Sequence, residues 1–207
     1  MDDSKRVRAP KQFRSRATKE AILETALDLF YEHGFYNTTT NQIADAAQVS
    51  VGSVYSYFKD RDAILYEILD RYHARFLELH RQAMETLETA DKKQWLCTMI
   101  EKLVRIHRRS KKLNKELNAL YFSNARVAAI MDAQHKETQQ CIVRCLRRWG
   151  DCVRIKDVEA AAAVAFILVS GVVHQIVFGG HGIRAERLVH EAVDVLSKYL
   201  AGPDPVS

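Results

Sequence analysis

The chain has 207 residues, a formal net charge of +5, 47% hydrophobic and 28% charged residues, and only 8 Gly and 3 Pro. This excludes an intrinsically disordered chain and disfavours an all-β one; the balance fits a small module joined to a larger helical body. No apolar segment follows Met1 and the longest uncharged apolar stretch, 160–173, is short for a bilayer span, so a cytoplasmic protein without membrane association is expected.

The positive charge is clustered. Lys5, Arg6, Arg8, Lys11, Arg14, Arg16 and Lys19 crowd the start, where Asp2 and Asp3 are the only acids before Lys19. Residues 1–17 therefore read as a basic flexible arm, either solvated or lying along the phosphates or minor groove of a nucleic acid. A first helix is expected from Thr18 as N-cap, stacking Ile22, Ala26, Leu29 and Phe30 until Gly34 ends it, with Tyr36 and Asn37 in the turn. Thr38 or Thr39 caps a short second helix burying Ile43, Ala44 and Ala47. After a break at Gln48 and Val49, Ser50 caps a third, in which Val54 and Phe58 share the inner face.

Two short helices, a tight turn and small residues at the crossing make a helix-turn-helix, whose second helix reads a major groove. Its outer face offers Ser50, Val51, Gly52, Ser53, Tyr55, Ser56 and Tyr57, hydroxyl and apolar groups suited to phosphates, base edges and thymine methyls. Tyr55 and Tyr57 could instead pack against the first and fourth helices, and the Thr38–Thr40 run could act in capping alone. Thr39, Thr40, Lys59 and Arg61 stand at the edges of this module.

The run from Ala26-Leu-Asp-Leu-Phe through Gly34-Phe-Tyr-Asn-Thr-Thr-Thr to Val54-Tyr-Ser-Tyr-Phe-Lys59 and Leu65 resembles the TetR family of bacterial transcriptional repressors. The resemblance covers about 50 N-terminal residues and is far denser than a generic helix-turn-helix pattern. It implies that Thr40 and Lys59 touch phosphate and that Ser50, Val51, Gly52, Tyr55, Ser56 and Tyr57 face the groove. It also implies an effector cavity among the middle helices.

Asp60 or Arg61 opens a long fourth helix with the stripe Ile64, Leu65, Ile68, Leu69, Tyr72, Phe76 and Leu79, which joins module to body. Further helices are predicted at 93–109, 113–122, 125–149, 157–178 and 184–200. The fold class is thus all-α: arm 1–17, DNA-binding domain 18–62, and ligand-binding and dimerisation domain 63–207. The helix 157–178 is apolar nearly all round and 184–200 carries a double apolar row, so both need a second covering surface. A partner subunit meeting Phe166, Val169, Val173, Val177, Leu188, Ala192, Val195, Leu196 and Tyr199 would supply it.

Trp95, Met99, Tyr121, Phe122, His135, Phe166, Ser170 and His174 are the candidate effector contacts, each equally readable as core. No charge cluster marks a ligand class, which favours an apolar or aromatic small molecule. Cys141 and Cys145 at i, i+4, with Cys152 beyond and His135 upstream, could sense redox state or a metal, but the spacing fits buried small apolar residues better. His174, His181 and His190 around the Gly179-Gly180 turn read as ordinary polar groups, and the basic run 105–115 as a solvated helix end suited to the helix dipole. No nucleophile, base and orienting acid stand together, so an enzyme is not expected, nor a cofactor or bound metal. The expected protein is a homodimeric repressor of a palindromic operator in double-stranded DNA, released by a small molecule. A thiol- or metal-responsive regulator, a helical enzyme and a helical adaptor are the alternatives.

Overall fold

The computed structural model describes residues 11–85, 91–149, 155–179 and 182–201. These residues form nine α-helices and no strand. They divide into two compact units, Met1–Leu69 and Asp70–Ser207.

In the first unit, α1 (Lys11–His33) begins seven residues before the expected cap at Thr18. The stretch from Lys11 to Ala17 contains no Gly or Pro and is rich in Lys, Arg, Gln and Ala, so nothing stops the helix from extending upstream. The second half of the supposed arm is therefore helical, while residues 1–10 lie outside the described ones. Ile22, Leu23, Ala26 and Phe30 bury one face, and Gly34, at φ 89°, ends the helix with its N–H on the Phe30 carbonyl at 3.0 Å. Helix α2 (Thr40–Ala46) carries a reciprocal capping box between Thr39 and Gln42. Gln48, at φ 56°, turns the chain into α3 (Val51–Tyr57), where the Ser50 side chain accepts from Ser53 N–H at 3.1 Å. Buried Ile43, Ala44, Val54 and Phe58 fix the pair, and the Asp60 carboxylate accepts from Ala63 N–H at 2.8 Å at the start of α4 (Arg61–Glu85). Ile64, Leu65, Ile68 and Leu69 are buried on α4 as expected; the side chains of Phe76 and Leu79 lie outside the described ones.

The second unit contains α5 (Lys92–Arg109), α6 (Lys111–Ser123), α7 (Ala125–Arg148), α8 (Val158–Phe178) and α9 (Ala185–Ala201), each within two residues of its predicted ends. Asp91, Asn124 and Asp157 cap α5, α7 and α8 with side-chain oxygens, each satisfying one or two of the orphan N–H groups at those ends. Helix α8 packs against α5, α7 and α9 around Leu96, Ile100, Val104, Leu146, Ala161, Ala165, Val173, Val193 and Leu196. Contrary to the expectation from residues 160–173, α8 is long and apolar enough by length and composition to cross a membrane. Its contacts with three neighbouring helices instead make it the central helix of this unit.

His107 on α5 donates from Nδ1 to the Leu103 carbonyl, 2.9 Å away, and burial lowers its pKa below the ordinary 6.5. Above that value both folded and unfolded chains carry the neutral imidazole. Below it the unfolded chain binds the proton first, so stability is lost as pH falls. Thermal unfolding should thus show Tm declining from about pH 7 to about pH 5, and His107→Gln should flatten the decline; an equally steep profile in the variant would assign it to other groups.

Candidate nucleic-acid interface

The reader is built from below. Val54 and Phe58 anchor α3 inward, leaving Ser50, Gly52, Tyr55 and Ser56 exposed and Val51, Ser53 and Tyr57 half-buried. A Cβ on Gly52 would meet only Ser50 Oγ at 3.8 Å, so the fold does not demand glycine there; its absent side chain leaves the outer face bare. Tyr55 is 53% exposed, and its hydroxyl lies 3.1 Å from Thr40 Oγ1, tying the start of α2 to the middle of α3. Both tyrosines were expected either outward or packed; Tyr55 points outward, while the Tyr57 hydroxyl meets Ser15 Oγ at 3.0 Å. Ser15 is a contact that sequence reasoning missed, because its partner is 42 residues away.

Thr38, Thr39 and Thr40 divide their work. Thr38 is fully buried and donates to the Gly34 carbonyl at 2.8 Å, Thr39 caps α2, and Thr40 meets Tyr55. Lys59 is exposed. Arg61, grouped by sequence with the DNA contacts, has an internal set of partners. Its Nη1 donates to the carbonyls of Thr38 (2.7 Å) and Tyr36 (3.2 Å), and its guanidinium lies 4.1 Å from the Phe35 ring centre. Arg61→Ala would orphan a part-buried carbonyl and remove the stacking, at about 1–3 kcal/mol to the N-terminal unit. Arg61→Lys should restore little of this, since an ammonium cannot make the planar fork; urea denaturation of both variants checks it.

In the second unit the expected effector contacts do not converge on one cavity. Phe122 is 87% exposed at the end of α6, and Ser170 and His174 lie on the exposed side of α8. Trp95 stacks edge-on against Trp149 at 5.8 Å, His135 contacts Phe166 at 5.3 Å, and the Tyr121 hydroxyl donates to Asp132 at 2.8 Å. A pocket of about 180 Å³ is lined by Arg108, Gln175, Ile176 and Leu188 among others, and by none of the expected effector contacts.

The expected dimer set also needs correction. Val173, Val177, Ala192 and Leu196 are buried within their own chain, because α8 and α9 cover each other and α5. The apolar surface left outward on these helices is Val164, Ile167, Val195 and Tyr199, with Phe166, Val169 and Leu188 half-buried.

Burial, reinforced by Cys141, pushes the Cys145 thiol up to about 11, which leaves almost no thiolate at neutral pH. Burial and Glu101 likewise raise Cys97. Arg144 Nη2 donates to Cys141 Sγ at 2.8 Å, and Cys152 and His181 lie outside the described residues. The cations of the run 105–115 are exposed, flanking the buried Ser110 between α5 and α6.

A capped, rigid two-helix motif with an outward hydroxyl-rich face, in an all-helical chain with a second helical unit, defines a helix-turn-helix DNA-binding regulator. Residues 22–68 match the bacterial regulatory proteins of the tetR family, and residues 93–200 match the tetracyclin repressor-like C-terminal domain. The chain belongs to the TetR family. It is similar to the transcriptional regulator TtgR of Pseudomonas putida, 26% identical over 88% of this chain and 86% of that protein. Its match to the regulator HbdR of an Aromatoleum species is 45% identical but spans 26% of this chain and 25% of HbdR. The solved SmeT–triclosan complex superimposes with a TM-score of 0.68 at 22% identity, covering 92% of this chain and 99% of that one. The protein is a DNA-binding transcriptional regulator and not an enzyme; TetR regulators bind DNA, typically as dimers, and small-molecule effectors.

Proposed function

We propose that this chain is a cytoplasmic homodimeric repressor that occupies a palindromic operator and leaves it when an apolar or aromatic small molecule enters the second unit. The observation that carries this is the outward row on α3, held rigid by Val54 and Phe58. Ser50, Val51, Gly52, Ser53, Tyr55 and Ser56 meet the groove; Thr39, Thr40 and Lys59 meet phosphates; Arg61 shapes the loop between them. Residues 1–17 supply phosphate contacts to the domain 18–62, and 63–207 carries ligand and partner. The partner subunit covers Val164, Ile167, Val195 and Tyr199, with Phe166, Val169 and Leu188 at the margin. Trp95, Met99, Tyr121, His135 and Phe166 remain the effector contacts, and the triclosan held by SmeT supports an aromatic ligand.

Binding that favours a conformation with the readers misplaced shifts the population off DNA. Titrating a labelled operator complex with apolar aromatic compounds and, separately, with charged polar metabolites tests this by fluorescence anisotropy. Release by the first set alone is expected. Release by the charged set alone would overturn the ligand class, and release by neither would overturn effector-driven derepression.

A further inference from the structure

The contact between Ser15 and Tyr57 joins two segments that the DNA-binding reading treats as separate, the basic start and the reader. Ser15 Oγ and the Tyr57 hydroxyl are 3.0 Å apart, with Ser15 exposed on α1 and Tyr57 half-buried at the last residue of α3. One turn further along α1, Lys19 Nζ lies 5.4 Å from the Phe58 ring centre and pairs with Glu67 at 2.7 Å. The start of α1 is thus fastened at two successive turns to the end of the reader and to α4. Between these anchors Arg16 is exposed, and Lys11 and Arg14 belong to the same helical extension.

We infer that Ser15 is a positioning residue for DNA binding: by holding Tyr57 it fixes the first turns of α1 beside the C-terminal end of α3, where the exposed Arg16 meets phosphate as part of a rigid body. This rests on the DNA-binding reading. An untethered arm would have to be ordered at the moment of binding, and the tether removes part of that cost. In this arrangement the Tyr57 hydroxyl faces α1, and the groove is left to Tyr55.

The test is the salt dependence of binding to fluorescein-labelled random-sequence duplex DNA, since phosphate contacts do not need a particular sequence. Ser15→Ala and Tyr57→Phe should each weaken binding by about 2- to 10-fold. Each should flatten the slope of log affinity against log salt by about one, the value for one phosphate contact. The double variant should be no weaker than either single one, and Ser15→Thr should restore the slope. Melting temperatures should stay at the wild-type value, separating the effect from loss of fold. Wild-type affinity and slope in Ser15→Ala would overturn the inference, as would additive losses in the double variant. Loss in Tyr57→Phe alone would put that hydroxyl directly on DNA and overturn it too. Wild-type protein that binds no duplex would instead overturn the DNA-binding reading beneath it.

Discussion

Ile167→Glu should leave the chain folded but monomeric, and lower operator affinity by about 100-fold or more, because two linked readers bind with an effective concentration that a single reader lacks. Ile167 is 66% exposed in the single chain, so a charge there costs the fold little. At a two-fold interface the same residue meets its own surroundings on the partner, and two carboxylates would be desolvated together. Leu196→Ala makes the contrast. Leu196 is buried between α9 and its neighbours, and truncation there should cost about 2–5 kcal/mol of folding stability instead of splitting the dimer. Sedimentation velocity and thermal unfolding separate the two outcomes. A dimeric Ile167→Glu would remove α8 from the interface.

Tyr55→Ala should cost about 1–3 kcal/mol of specific binding, roughly 5- to 150-fold, with melting unchanged. Tyr55 combines an exposed ring with a hydroxyl already oriented by Thr40 at 3.1 Å, so its rotamer is set before DNA arrives. Tyr55→Phe keeps the ring and loses the hydroxyl, dividing apolar from hydrogen-bonded contact. Thr40→Val should reproduce part of the Tyr55→Phe effect if the orientation matters. Operator affinities measured by anisotropy decide this, and a Tyr55→Ala variant with wild-type specificity would refute the reader assignment.

Local chemistry was legible in the sequence. Thr38 or Thr39, Ser50, Asp60 and Asp157 announce helix starts because a cap and its N–H groups lie within three residues; the structure selects Thr39. The start of α1 was not legible: a basic segment free of Gly and Pro is compatible with both an arm and a helix. Nor was the sidedness of α8. A helix apolar on every face carries no mark of which stripe its own chain will cover, and Val173 and Val177 went inward while Ile167 stayed out. Arg61 read as a cation at the edge of the module because only the folded chain brings the Tyr36 carbonyl, 25 residues earlier, to its guanidinium. Among the effector candidates, aromatic composition could nominate Trp95 and Phe122 equally; burial separates them, since the end of α6 leaves Phe122 in solvent.

The most direct test is selection of bound fragments from random DNA by the full-length protein, run in parallel with Tyr55→Ala. A two-fold symmetric sequence with half-sites centred about one helical turn apart, or a small multiple of it, is predicted for the wild type, with enrichment lost in the variant. No enriched sequence, or the same enrichment in Tyr55→Ala, would contradict the assignment of α3 as the reader.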